Sequence, residues 1–188
     1  MATITKEVVV DFGRLGLGAT VDLTGLMRFS VSRRADEDSY VPDVLDPTPQ
    51  LTANDATRER RFVLRRTLTA SFPPFLWTIN GATFDPAASG PVVEEGAVEI
   101  WTFENIAFGP IEEMDHPIHI HLVNFLVLDR NGKPPRAFER GWKDTVVVRS
   151  NETVRVIARF TPFTGKYIFH CHNLAHEDHA MMSNFEVV

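Results

Sequence analysis

All seven histidines of this 188-residue chain, and its single cysteine, fall in two short windows. The first is His116-Pro117-Ile118-His119-Ile120-His121. The second runs from His170-Cys171-His172 through His176 and His179 to Met181. Any fold this chain adopts has to place these windows on neighbouring segments, because nitrogen and sulfur donors crowded in this way signal copper. A blue electron-transfer copper is held by two histidines, one cysteine thiolate and a weak axial methionine. Cys171, His176 and Met181 follow one another at five-residue steps, and His116 supplies the second nitrogen. The spacing fits a strand that delivers Cys171, a turn that brings back His176 and a further step that drops Met181 into the axial place.

In an extended strand successive side chains point to opposite faces. His170 and His172 therefore share one face while Cys171 points to the other, and His119 and His121 likewise share a face. Two His-x-His pairs on neighbouring strands offer four imidazoles to metal on the side away from Cys171. Adjacent residues link the two sites through the backbone, at a rise of about 3.3 Å per residue. A lone cysteine is ordinarily a small buried hydrophobe; the flanking histidines make Cys171 a ligand instead.

The rest of the chain reads as all-β. Strand signals run over Phe62–Leu68, Phe75–Asn80, Ala97–Phe103, His116–Leu128, Asp144–Val148, Thr153–Phe160 and Lys166–Cys171. Turn residues punctuate them at Asn80-Gly81, Asn131-Gly132 and Ser150-Asn151. Upstream, Lys6–Phe12, Thr20–Leu23 and Leu26–Val31 flank a glycine-rich stretch, Gly13 to Gly18, as strand, loop, strand. Residues 35–60 turn polar and proline-dotted, a connector. Many short strands separated by such turns predict a Greek-key sandwich, here over 61–188.

The motifs HPIHIHLVNF, GWKDTV and HCHNLAHEDHAMM, supported by LWTINGATFDP and EIWTFEN, resemble the C-terminal part of a multicopper oxidase of the bacterial laccase and bilirubin oxidase kind. The resemblance runs from about Phe62 to Val188. It implies a cupredoxin domain, with residues 1–34 as a β-hairpin extension formed by the closing strands of a preceding domain. It implies type 1 copper ligands at His116, Cys171, His176 and Met181, a type 2 ligand at His119, and type 3 ligands at His121, His170 and His172. It gives the axial place to Met181 rather than to its neighbour Met182, and leaves His179 on the surface. Met114 and Asp115 either shape the rim of the copper site or serve as ordinary loop.

A family cluster of three coppers takes eight histidines, four of them from two further His-x-His motifs, and none stands upstream of His116 here. The expectation is a second polypeptide that carries N-terminal cupredoxin domains and those motifs. The resemblance further implies oxidation of a small aromatic reductant at the type 1 copper, with electrons entering through the solvent-facing edge of His176 and passing by Cys171 to His170 and His172. Dioxygen is then reduced to water. An axial methionine holds the potential low, which suits phenols, aromatic amines and tetrapyrroles. With 5 Met and no methionine-rich segment, cuprous ion is a poorer substrate. Glu177, next to a copper ligand, is either the proton relay that oxygen reduction needs or a surface carboxylate.

Other readings compete with that of an oxidase subunit or fragment. A free-standing electron carrier needs no second pair of His-x-His faces. A copper-binding assembly component would hold copper loosely on the spare histidines. A symmetric pair of half-sites duplicates strands that the family makes different, and a cupin has no use for the Cys171, His176, Met181 spacing. Net charge is −6 and the pI about 5.6, so no basic stripe is available for nucleic acid. No apolar run approaches a membrane span. The N-terminus lacks the apolar core of a secretory signal, consistent with a cytoplasmic chain or one exported with a partner. A heteromeric enzyme further predicts exposed apolar surface on this chain.

Overall fold

Alternating apolar and polar residues build the strands that the turns above separate, and the computed structural model shows how they pair. It describes residues 39–43 and 50–188, apart from positions 71, 73, 108 and 110–113. The chain divides into two compact units, Met1–Pro47 and Thr48–Val188. The expected hairpin extension at 1–34 lies outside the described residues, and residues 39–43 are exposed.

Among the described residues of the second unit ten strands form two five-stranded sheets. The first sheet contains β1 (Arg58–Leu68), β2 (Phe75–Ile79), β4 (Val98–Ile106), β6 (Phe125–Arg130) and β8 (Thr153–Arg159), in the order β2-β1-β4-β8-β6. The second contains β3 (Val92–Val93), β5 (His116–Ile120), β7 (Thr145–Val148), β9 (Gly165–Cys171) and β10 (Met182–Val187), in the order β3-β10-β9-β5-β7. Neighbours are antiparallel except β1 with β4 and β3 with β10. This is the all-β sandwich expected from the pattern. Its first strand starts at Arg58, inside the stretch read as connector, because parallel pairing with β4 extends it to Arg58↔Glu99.

The inward faces meet in an aromatic core. Trp101 packs against Phe62, Phe160, Phe169 and Phe185 at centroid separations of 4.9, 5.2, 5.1 and 5.3 Å. Each such pair adds about 0.5–1.5 kcal/mol beyond its area burial. The outer face of β4 and β8 is covered too: Val98, Ile100, Leu126 and Ile157 form a second cluster beneath Leu51, Ala56, Leu128 and Trp142. Where this core meets charge the charge is paired. Glu99 is bonded by Arg60 at 2.6 and 2.8 Å and by the Trp101 indole N–H at 3.0 Å.

Two expectations need correction. His116–Leu128 is not one strand. Leu122 has φ 74, and this kink ends β5 at Ile120 and restarts the chain at Phe125 in the other sheet. A strand-like run without a Gly or Asp break does not reveal such a crossing. The turn expected after Cys171 is a short helix, α1 (Leu174–Asp178), started by Asn173, whose side chain accepts from the Ala175 N–H at 3.1 Å. Strand β10, absent from the sequence reading, follows directly. The turns themselves behave as their residues require: Asn131 and Gly132 have φ 51 and 71, the left-handed pair of a two-residue hairpin turn.

Candidate metal centre

The register of β5 and β9 decides which donors meet. Ile118 lies opposite Cys171 and His119 opposite His170. Ile118, Ile120, Phe169 and Cys171 turn into the core. The intervening His119 and His170, with His172, belong to the other face.

On the inner side His116, Cys171 and His176 converge. Cys171 Sγ lies 3.6 Å from His116 Nδ1 and 3.4 Å from His176 Nδ1, and the two nitrogens are 3.2 Å apart. Three donors each roughly 2.0–2.3 Å from one ion, spread around it in a plane, stand about 3.5–3.7 Å from each other. The observed triangle is within a few tenths of an ångström of that. Met181 is fully buried in the same core cluster as Cys171. The loop between them is closed by backbone bonds, Cys171 N–H to Met181 C=O at 3.0 Å and Met181 N–H to His176 C=O at 2.9 Å. The structure thus brings His116, Cys171 and His176 together, and these backbone bonds tie Met181 into the same loop.

Burial controls their protonation. It pushes the His116 imidazole down to about 3, with neighbouring His176 adding to the effect. It pushes the Cys171 thiol up to about 11. The imidazole is therefore a neutral, ready ligand, and the thiol gives up its proton only to a cation that takes its place. A soft sulfur with two imidazoles in a dry pocket is the donor chemistry of copper.

On the outer side His119, His121 and His170 converge. His121 Nε2 is 3.3 Å from His170 Nε2. The His172 ring lies 5.3 Å from that of His170 and 5.7 Å from that of His119. His121 sits one residue past β5 but stays aligned through its N–H bond to Ile168 C=O at 3.1 Å. Backbone carbonyls fix two tautomers. His119 Nδ1 is 2.8 Å from the Asp144 carbonyl, and a carbonyl can only accept, so the proton is on Nδ1 and the lone pair on Nε2. His170 Nδ1 is 3.3 Å from the Cys171 carbonyl, and the same holds there. Burial, first, and the neighbouring imidazoles hold His121 below its ordinary range. His170 is also lowered, chiefly by burial.

Glu177 places Oε2 3.8 Å from His170 Nδ1, beside the outer cluster. His179 is exposed and joins neither group. The solvent-facing edge expected of His176 is almost closed: the residue is 3% exposed, because the Trp77 ring lies over it at 4.2 Å. Three supporting residues escaped the sequence reading. Trp77 and Thr145 sit inside motifs quoted above without a role. Thr145 Oγ1 is 3.2 Å from His119 Nδ1. Asn105 donates to the carbonyls of Met114 at 2.7 Å and Val148 at 3.1 Å, steadying the approach to His116. Large apolar side chains exposed among the described residues include Leu68, Phe72, Phe138, Phe163 and Leu174. No helix among the described residues is long and apolar enough to cross a membrane.

Comparison with known proteins shows what the chain is similar to. A family model described as "Multicopper oxidase" matches residues 55–188. A bilirubin oxidase of Albifimbria verrucaria is 39% identical over 186 residues, covering 93% of this chain and 30% of that protein. A laccase of Bacillus stratosphericus is 32% identical over 183 residues, covering 87% of this chain and 34% of that protein. The crystal structure of a laccase from Pediococcus acidilactici Pa5930 superposes with a TM-score of 0.69 at 30% identity, covering 90% of this chain and 35% of that one. The chain spans about a third of the length of the curated relatives it matches.

Proposed function

The chain belongs to the multicopper oxidase family, and from that premise we propose that it supplies the type 1 copper and half of the oxygen-reducing cluster of a laccase-like enzyme. The observation that carries the reading is the two-faced end of β9. Cys171 enters the inner donor triangle while its neighbours His170 and His172 belong to the outer imidazole group. When bound, copper supplies one-electron uptake from a reductant and the four-electron reduction of dioxygen to water. His116, Cys171, His176 and Met181 hold the type 1 ion. His119 serves the type 2 ion, and His121, His170 and His172 the type 3 pair.

The chain's own residues do the rest. The carbonyls of Asp144 and Cys171 aim the Nε2 atoms of His119 and His170. The peptide between Cys171 and the histidines flanking it is the electron path. The reductant meets the inner site at the narrow edge of His176. Easily oxidised phenols, aromatic amines and tetrapyrroles are the proposed substrates, in keeping with relatives called laccase and bilirubin oxidase. Glu177, 3.8 Å from His170 Nδ1 and partly exposed, carries protons in from solvent. The four remaining imidazoles come from cupredoxin domains on a second polypeptide.

The test is copper stoichiometry, visible absorption and mass of the purified material. Four coppers per complex, a blue band and a companion chain support the reading. One blue copper on a lone chain without oxygen uptake supports an electron carrier instead. In the complete complex Glu177→Gln lowers oxygen turnover without changing the blue band; unchanged turnover removes the relay.

A further inference from the structure

Trp77 meets both nitrogen donors of the inner site. Its ring lies 4.2 Å from that of His176 at an interplanar angle of 32°, and 5.5 Å from that of His116 at 69°. One imidazole is covered by the indole face and the other is met nearly edge to face. The indole comes from β2, in the sheet that contributes no ligand, whereas His116 comes from β5 and His176 from α1.

The two sides differ in how they are held. Strand β2 pairs with β1 through five register pairs from Leu64↔Ile79 to Leu68↔Phe75. It is tied further by the Thr67–Thr78 hydroxyl pair at 2.8 Å and by Asn80 Oδ1, which accepts from the Val63 N–H at 2.7 Å. His176 rides on a helix of five residues in which Leu174, Ala175 and Asp178 are exposed. The paired strand therefore steadies a buried ligand whose own helix is largely exposed, and the indole also shuts out water: Trp77 is 6% exposed.

We propose that Trp77 is a positioning residue of the type 1 site, clamping the His176 and His116 rings and sealing them from solvent so that the pocket favours the cuprous ion. The inference rests on the reading above that these residues hold a blue copper. Its physical basis is charge. Two neutral imidazoles and one thiolate around cupric ion leave a net positive charge, and around cuprous ion they leave none. A dry apolar surround penalises the charged form more, so uncovering the imidazoles lowers the potential. The half-reaction takes one electron from a mediator and moves no proton.

The experiment uses the copper-loaded protein and the variants Trp77→Leu and Trp77→Phe, with Trp101→Phe as a core control whose ring packs on Phe62, Phe160, Phe169 and Phe185. The blue band is titrated against redox mediators, and cuprous affinity is read by competition with a chromogenic chelator. Trp77→Leu is expected to lose about 10–100-fold in cuprous affinity, the usual cost of an outer-shell partner. Its cupric affinity should fall about tenfold less, which is a drop of roughly 59 mV in midpoint potential. Trp77→Phe gives a smaller change of the same sign, and it decides the matter if the leucine variant does not fold. The parent potential in both Trp77 variants, or an equal shift in Trp101→Phe, overturns the inference. A parent protein that takes up no blue copper overturns the reading beneath it.

Discussion

Loading the inner site expels a proton, and the structure says which one. Burial sets the Cys171 thiol at about 11, two units above the ordinary 9.0, while His116 at about 3 has no proton to give at neutral pH. Cuprous affinity should therefore rise tenfold per pH unit, one proton released per ion bound, from about pH 8, where an ordinary imidazole is already neutral. The rise should continue to about 11. At pH 7 the proton costs the binding reaction four units at about 1.36 kcal/mol each, roughly 5 kcal/mol. The metal-free protein carries the linked effect. A thiol whose folded value is raised contributes stability that is present below the ordinary value and lost as pH climbs through the folded one. Between 9.0 and about 11 the metal-free fold should lose up to about 3 kcal/mol. The assays are chelator competition across that pH range, thiolate ultraviolet absorbance of the metal-free protein, and urea unfolding at each end. A flat affinity profile, or one that bends at or below pH 9, would refute the argument that burial governs this sulfur.

Other consequences follow from single contacts. Arg130 bonds Glu139 through Nε at 2.9 Å, Glu152 at 2.7 Å and the Val147 carbonyl at 2.9 Å, so Arg130→Met strands two buried carboxylates and should cost about 3–5 kcal/mol in denaturant unfolding. Burial pushes Glu139 up, but Arg130 and the Arg136 N–H outweigh it and leave a net lowering. The parent therefore loses that contribution as pH falls through the lowered folded value. The variant, with burial unopposed by Arg130, regains stability on acidification; a variant that weakens in parallel with the parent contradicts the pairing. Asn105→Leu leaves the Met114 and Val148 carbonyls without their donor and should cost about 1–3 kcal/mol, with weaker copper uptake at the inner site; a calorimetric scan and chelator competition measure both. Met181→Leu roughly conserves volume in a fully buried position, so stability should change by less than about 1.5 kcal/mol, while the blue-copper potential rises as the axial sulfur is lost. An unchanged potential would mean that Met181 is packing only.

Much of the site was legible because its rules are local. Residue type names a ligand, and the period of two along a strand separates Cys171 from His170 and His172 whatever the rest of the chain does. Turn positions were legible for the same reason, since Asn131-Gly132 needs no partner to favour a left-handed backbone. What stayed hidden depends on pairing across long stretches of sequence. Nothing in the run His116–Leu128 shows that a kink at Leu122 sends its halves to different sheets, because both halves contribute apolar residues to the same core. Strand β10 was missed because its Met182-Ser183-Asn184 start reads as a loop until β9 supplies a partner.

The sequence by itself determined that the chain is an all-β structure with copper-type donors on two faces of one strand, since composition and alternation need only neighbouring residues. The tertiary structure alone decided that His119 lies opposite His170, that the Asp144 carbonyl sets the His119 tautomer, and that an indole from the opposite sheet closes over His176. Those are contacts between segments tens of residues apart. They exist only once the two sheets have closed on a common core, which fixes register and distance together.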